Sequence, residues 1–176
     1  MMNCIKLYAE GGYGFDSAEI VEPGPDQVQV KIHSAVINPS DVLCLRGKYK
    51  SGFVYPFTPG WEGSGTISKV GTNIDSEYVG KRVAHMFSDP TKGGSMAEYI
   101  VTDLKKTITL DDDADIEVAS SSYVNPLSAL GMVDRLKELG SKSTIITAAA
   151  SQLGRMLIRV CKMEGIIPIC TVRRAE

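Results

Sequence analysis

The sequence predicts a mixed β and α/β fold, in which a β-rich segment precedes one strand-helix-strand unit. Up to about residue 109, short strand-like stretches are separated by Gly, Pro and Asp turns, which is typical of a small antiparallel barrel or sandwich. Beyond residue 111, apolar residues recur at helical spacing, and two apolar runs at residues 144–148 and 166–172 flank an amphipathic stretch. We therefore expect two domains, residues 1–124 and 125–176.

The clearest predicted strand covers residues 27–36. Apolar and polar side chains alternate there, so one face can be buried while the other contacts water. The apolar set is Val28, Val30 and Ile32, and the polar set is Gln29, Lys31 and His33. Further strands are expected at residues 5–8, 65–70, 82–86 and 96–101. A short helix is expected to begin at Asn38-Pro39 and to end at Gly47.

Two helices are predicted in the second domain. The first has an inner face of apolar residues at every third position and ends at Gly140; these residues are Leu127, Leu130, Val133, Leu136 and Leu139. The second carries an amphipathic stripe and ends at Gly165; its residues are Leu153, Met156, Leu157, Val160 and Cys161. Together with the two apolar runs, the second helix forms a predicted β-α-β unit.

Composition argues against several classes of partner. The 19 Lys and Arg residues nearly balance the 21 Asp and Glu residues and form no long basic stripe, so we expect no nucleic-acid partner. No apolar run is long enough to span a bilayer, and the N-terminus lacks the pattern of a signal peptide. We therefore expect a cytoplasmic protein with no membrane partner.

The sequence offers no convincing set of metal ligands. The cysteines, at positions 4, 44, 161 and 170, lack metal-site spacing, so we expect reduced core residues. His33 and His85 have no ligand-like neighbours and are expected to be structural. The acidic run at residues 111–115 lacks the Gly and the distal Glu of a calcium loop, which favours a solvated turn that leads into a helix. We therefore predict no metal site.

The turn between the two late strands is a candidate cofactor site. Ala149-Ala150-Ser151-Gln152-Leu153-Gly154 lies where a dinucleotide pyrophosphate would contact a helix N-terminus, although only the last glycine of the usual fingerprint is present. A tight turn that needs small residues for packing explains the same residues equally well, so both interpretations stay open. After the second strand, Arg173-Arg174 suits a 2′-phosphate and favours NADPH, with a solvated basic pair as the alternative.

Six motifs occur along the chain in a recognisable order. They are Val36-Ile37-Asn38-Pro39-Ser40-Asp41, Arg46-Gly47-Lys48-Tyr49, Pro59-Gly60-Trp61-Glu62-Gly63-Ser64-Gly65, Gly80-Lys81-Arg82-Val83, Gly94-Ser95-Met96-Ala97-Glu98-Tyr99 and Val124-Asn125-Pro126-Leu127-Ser128-Ala129. Together they resemble the medium-chain dehydrogenase/reductase superfamily, in its zinc-free quinone oxidoreductase and 2-enoyl thioester reductase branch. The resemblance covers essentially the whole chain. It implies a GroES-like β-barrel domain followed by the first β-α-β unit of a Rossmann fold.

The departures from the zinc-dependent members of the superfamily are informative. Zinc alcohol dehydrogenases place Cys and His ligands where this chain has Asn38 and Trp61, and they carry a four-cysteine lobe after the Gly80 region. Asn and Trp cannot replace thiolate and imidazole as zinc ligands. The resemblance therefore implies hydride transfer from NADPH to a quinone or another unsaturated carbonyl compound without a metal.

The resemblance also assigns roles to individual residues. Tyr49 would face the substrate and stabilise an oxyanion or pass on a proton, and Asn38 would border the nicotinamide. Asn125 would hydrogen-bond the cofactor. The pyrophosphate would be held by Ser151, Gln152, Leu153 and Gly154. The alternatives are a half-buried loop aromatic for Tyr49 and helix N-caps for Asn38 and Asn125.

Family members run far beyond 176 residues, so we expect the N-terminal portion of a longer enzyme, or a truncated protein that works in another way. Unpaired edges of the two late strands would favour self-association or another partner. The rival function is a non-catalytic GroES-like binding or structural module. A short-chain reductase is excluded, because Leu127 stands four residues after Tyr123 where that family requires Lys.

Overall fold

A computed structural model describes residues 1–9, 12–49, 53–87 and 93–174. The chain divides into two compact units, Met1–Tyr123 and Val124–Glu176. The first unit is mainly β-sheet with short helices, and the second contains two helices and a parallel strand pair. The predicted mixed β and α/β fold class is confirmed.

The first unit contains a two-stranded and a five-stranded antiparallel sheet. Strands β1 (Met2–Leu7) and β2 (Tyr13–Ala18) pair with each other. The larger sheet contains β3 (Gln27–Ala35), β4 (Glu62–Val70), β5 (Arg82–Met86), β6 (Tyr99–Asp103) and β7 (Thr107–Thr109). Its order is β6-β3-β4-β5-β7, so β4 lies at its centre, between β3 and β5.

The predicted β-barrel does not close among the described residues. No described strand pairing joins β6 to β7 across the open side of the larger sheet. Strand β1 joins the rest of the unit through the isolated bridges Cys4 to Ala97 and Leu7 to Phe57 and through single hydrogen bonds, such as that from the Ile5 N–H to the Met96 carbonyl. A single bridge fixes one residue pair and cannot extend into a ladder, so the two sheets remain separate.

Strand β3 shows one departure from its predicted alternation. Val28 and Val30 are fully buried in a core with Ile67, Val83 and Ile100, as the pattern predicts. Gln29 was expected to face water but is also buried. The register shift between Gln29 and Val30 comes from an extra residue in β4, Ser68. This β-bulge lies beside Gln29, on the face opposite to that of Val28 and Val30, so that face is covered there. The Gln29 amide is satisfied there, because it donates to the Val21 carbonyl and accepts from the Ser68 hydroxyl.

Two short helices begin where the sequence predicts, and the first also ends at its predicted glycine. Helix α1 (Pro39–Leu45) begins after Asn38, and Gly47 ends it at a positive φ of 64°. Helix α2 (Ile116–Ala119) begins after Asp115, whose carboxylate accepts hydrogen bonds from the backbone of the first helical turn. The acidic run is therefore a turn that leads into a helix, as predicted.

The second unit is one β-α-β unit preceded by a helix. Helix α3 (Val124–Glu138) leads into β8 (Ser143–Ile146), α4 (Gln152–Met163) and β9 (Ile167–Cys170). Strands β8 and β9 pair in parallel, which confirms the predicted unit. Gly140 and Gly165 end the two helices at positive φ, as predicted.

Two packing predictions for the second unit are wrong. Of the predicted inner row of α3, Val133 is fully buried, whereas three leucines are about half exposed; these are Leu127, Leu130 and Leu139. A spacing of three residues advances 300° around a helix, so such a row drifts around the axis and cannot stay on one face. Cys170 was expected in the core but is exposed, whereas Cys161 is buried with Val133.

No helix within the described ranges combines the length and the apolar character needed to cross a membrane.

Candidate functional site

The turn between β8 and α4 forms a capped helix N-terminus. Ser151 is the N-cap residue, and its hydroxyl accepts a hydrogen bond from the backbone N–H of Gly154 at 3.1 Å. Ala148 adopts a left-handed backbone conformation with a φ of 51°, which turns the chain sharply after the strand. Because the first N–H groups of a helix lack partners within it, those of Gln152 and Leu153 are donors available to an anion.

Gly154 permits the close approach of α4 to the end of the turn. A Cβ atom at this position would lie 2.7 Å from the Cα of Ala149 and 2.8 Å from the carbonyl oxygen of Ala148. Both neighbours are backbone atoms, which cannot move aside cheaply. The last glycine of the dinucleotide fingerprint therefore has a packing role in this chain.

A cleft of about 890 Å³ lies beside this turn. Its walls bring together small residues of the turn and the residues that follow β9; they are Ala148, Ala150, Ser151, Thr171, Val172, Arg173 and Arg174. Both arginines are exposed. The cleft thus brings the N-cap residue of α4 together with two arginines, which is a chemistry suited to phosphates.

Neither Gln152 nor Leu153 lines this cleft. The Gln152 amide oxygen accepts a hydrogen bond from the Arg155 guanidinium at 2.8 Å. Leu153 lines a separate apolar cavity of about 620 Å³ with Leu157 and Cys161. Any contribution of these two residues to phosphate binding would come from their backbone rather than from their side chains.

Asn125 is the second residue of α3 and not its N-cap, since the helix begins at Val124. Its side chain is partly exposed, and among the described residues it makes no hydrogen bond. Capping therefore does not account for this residue, and its amide is available to a ligand.

In the first unit, Asn38 lies in a buried polar cluster. Its backbone N–H donates to a carboxylate oxygen of Asp41 at 2.7 Å, and its side-chain Nδ2 donates to Oε1 of Glu62 at 3.0 Å. The other oxygen of Glu62 accepts from the backbone N–H of Tyr123 at 2.9 Å. Asn38 therefore both precedes α1 as its N-cap residue and connects two acidic side chains.

The two acids of this cluster are fully buried. Burial, together with the negative charge of Glu62, raises the pKa of Asp41 to about 6, and hydrogen bonds from Asn38 oppose this rise. Glu62 and its link to Tyr123 were missed in the sequence analysis. A signal was present, because a Glu between Trp61 and Gly63 in a strand of mostly small and apolar residues needs buried partners.

Tyr49 lies in an aromatic cluster. Its ring packs against that of Trp61 at 5.4 Å between centroids, and Trp61 also contacts Phe53 and Phe87. Tyr49 is 39% exposed, so its hydroxyl can meet a ligand or water. Trp61, expected from the sequence to replace a zinc ligand, contributes ring contacts to this cluster.

Among the residues that the structure describes, no group of three or more His, Cys, Asp or Glu side chains is placed to hold a metal ion. His33 is exposed on β3, and His85 is fully buried on β5.

Comparison with known proteins defines the class. A family model described as the alcohol dehydrogenase GroES-like domain matches residues 24–112. The chain therefore belongs to this family, within the medium-chain dehydrogenase/reductases.

The relatives place it in the quinone and enoyl reductase branch. A mitochondrial enoyl-[acyl-carrier-protein] reductase of Arabidopsis thaliana is 30% identical over 87% of this chain and 40% of its own length. A candidate NADPH:quinone reductase structure from Mesorhizobium loti is 36% identical with a TM-score of 0.85, over 99% of this chain and 55% of that one. A mycobacterial protein in complex with NADPH is 25% identical with a TM-score of 0.83, over 99% of this chain and 53% of that one. The chain thus spans about half the length of these relatives.

Proposed function

We propose that this chain forms the front portion of an NADPH-dependent, zinc-independent reductase of quinones or other α,β-unsaturated carbonyl compounds, including enoyl thioesters. The observation that carries the proposal is the cleft at the N-terminus of α4, with Arg173 and Arg174 beside it. Support also comes from a relative named an enoyl reductase and from a related structure that contains NADPH.

The residues of the second unit fit a dinucleotide phosphate. Backbone N–H groups of the first turn of α4 and the helix dipole would hold the pyrophosphate. Arg173 and Arg174 would pair with the 2′-phosphate, which carries the charge that distinguishes NADPH from NADH. The free amide of Asn125 would add a hydrogen bond to the cofactor. When bound, the nicotinamide supplies the hydride for reduction of the substrate.

In the first unit, Tyr49 would act on the substrate. Hydride addition to a conjugated carbon pushes negative charge onto the carbonyl oxygen. The exposed phenol of Tyr49 would donate a hydrogen bond to that oxygen or pass it a proton, which solvent then replaces. Asn38 would border the nicotinamide. Zinc independence is proposed because the Asn38 amide already donates to Glu62 and Trp61 offers no lone pair for a metal.

The cytoplasmic location stays a prediction, because one relative is named a mitochondrial enzyme. Self-association through the edges of β8 and β9 likewise stays a prediction.

The double substitution Arg173→Ala and Arg174→Ala tests the proposal. Because charge-assisted hydrogen bonds contribute roughly 1.5–3 kcal/mol each, we expect the Kd for NADPH to rise at least about tenfold and that for NADH to change little. Fluorescence titration of the 176-residue chain measures both constants. The matched control replaces Arg135 and Arg159, two exposed arginines that do not line the cleft. Equal weakening of both nucleotides would refute the 2′-phosphate assignment.

A further inference from the structure

Asn38 is held at both of its nitrogens by buried carboxyl groups. Asp41 accepts from its backbone N–H, and Glu62 accepts from its side-chain Nδ2. Asp41 and Glu62 are each 0% exposed. Starting α1 does not require Glu62, because Asn38 and Asp41 form the capping box of this helix. A buried carboxylate is costly unless it is fully hydrogen-bonded, so the placement of Glu62 calls for a role beyond capping.

The second oxygen of Glu62 reaches the end of the first unit. It accepts from the backbone N–H of Tyr123 at 2.9 Å, in a buried hydrogen bond that spans 61 residues of sequence. Tyr123 is the last residue of that unit, and α3 begins at Val124. One carboxylate thus holds both Asn38 and the residue from which the chain leaves for α3.

We infer that Glu62 is a positioning residue that fixes the orientation of the Asn38 amide and anchors the exit of the chain into α3. A carboxylate can only accept hydrogen bonds, so Glu62 must receive the Nδ2 of Asn38 and direct the amide oxygen away from itself. The benefit of this orientation for reduction rests on the proposed function. The two hydrogen bonds of Glu62, and their effects on the Asn38 amide and the Tyr123 backbone, do not depend on that function.

The substitution Glu62→Gln separates the two hydrogen bonds. The Tyr123 backbone N–H is a donor that cannot reverse, so the oxygen of the new side chain must face it. The NH₂ group then faces Asn38, whose amide must turn over to present its oxygen. Adding Asn38→Asp to Glu62→Gln exchanges acid and amide between the two positions. That double variant restores an acceptor opposite the new NH₂ group.

Hydrogen exchange measured by NMR on the full 176-residue chain tests this inference. In the wild-type chain, we expect slow exchange at the Tyr123 amide and at the side-chain NH₂ of Asn38. Glu62→Ala should speed exchange at both sites at least about tenfold. Glu62→Gln should leave Tyr123 protected and speed exchange only at Asn38. The double variant should regain part of the thermal midpoint that each single variant loses.

Glu98→Gln is the matched control, because Glu98 also accepts from a backbone N–H, that of Asn3 at 2.7 Å, but is exposed. This variant should change the exchange rate of neither the Tyr123 amide nor the side-chain NH₂ of Asn38. Free exchange of the Asn38 NH₂ in the wild-type chain would overturn the inference, and this result decides the matter even if a Glu62 variant does not fold. Unchanged Asn38 protection in Glu62→Gln would also overturn it. No readout uses cofactor or substrate, so failure here is distinct from failure to bind NADPH.

Discussion

His85 is a buried polar side chain whose ring nitrogens have no hydrogen-bond partner among the described residues. It lies on β5, one residue before the end of the strand, at 0% exposure. Burial lowers its pKa from 6.5 to about 4, because the charged imidazolium cannot be solvated there. A histidine that stays neutral in the folded state makes stability depend on pH.

We predict that His85 destabilises the fold as the pH falls. Between about pH 6.5 and pH 4 the unfolded chain binds a proton at this site while the folded chain does not, so the contribution of His85 to the free energy of unfolding should fall by roughly 3 kcal/mol. The raised pKa of Asp41 acts in the opposite direction over part of this range, so the effect of His85 is the difference between the wild-type chain and the His85 variant. His85→Leu should remove this dependence. Urea unfolding at several pH values measures it. The control His33→Leu, at an exposed position on β3, should keep the slope, and an unchanged slope in His85→Leu would contradict the prediction.

Tyr49→Phe tests the catalytic role proposed for the phenol. In an enzyme completed to the length of its relatives, turnover with an enoyl thioester should fall by about 100-fold, because one oxyanion donor contributes roughly 3 kcal/mol. The KM for NADPH should stay the same, since Tyr49 is not assigned to cofactor binding. Steady-state kinetics separate the two effects. Tyr13→Phe on exposed β2 is the control, and equal rates for Tyr49→Phe and wild type would remove Tyr49 from the mechanism.

At this scale, sequence motifs identified the candidate site residues but not their partners. Asn38 was predicted as both a site residue and a helix cap, and the structure shows it before α1. Its pairing with Glu62 was not predictable, because it joins residues 24 positions apart on different elements. The burial of Gln29 depends on its contacts with the Val21 carbonyl and with Ser68 of β4, which alternation along one strand does not reveal.

At the scale of elements, Gly154 should be intolerant of even one methyl group. Gly154→Ala places a Cβ within 2.7 Å of backbone atoms, so we expect a loss of about 1–3 kcal/mol in unfolding free energy. Gly131→Ala in α3 is the matched control. A Cβ there meets nothing within 4 Å, and the better helix propensity of Ala should stabilise the chain by up to about 1 kcal/mol. Chemical denaturation measures the change in unfolding free energy of each variant. Changes of the same sign in both variants would contradict the packing role of Gly154.

Element prediction succeeded where local chemistry decides the structure and failed where packing decides it. Gly47, Gly140 and Gly165 all end helices at positive φ, as expected from their lack of a side chain. Strands β2 and β7 were not predicted. The first is mostly exposed and contains Gly, Asp and Ser, and the second has only three residues, so neither shows a period of two.

At the scale of the whole molecule, the sequence predicted the order of its parts. The change of hydrophobic period near residue 111 precedes the transition between units at Tyr123 and Val124.

The chain spans about half the length of its relatives, and the second unit leaves several apolar residues of its strands exposed; they include Ile145, Ile167 and Ile169. Such surfaces are typical of contact with further protein.

The central claim is that the cleft beside α4 selects NADPH. The most direct measurement is a fluorescence titration of the 176-residue chain with NADPH and with NADH, at one salt concentration and with its elution volume recorded. We predict saturable binding with a Kd for NADPH at least about tenfold lower than that for NADH, because only NADPH carries the phosphate for Arg173 and Arg174. A well-folded chain that binds neither nucleotide, or binds both equally, would contradict the claim and favour a non-catalytic GroES-like module.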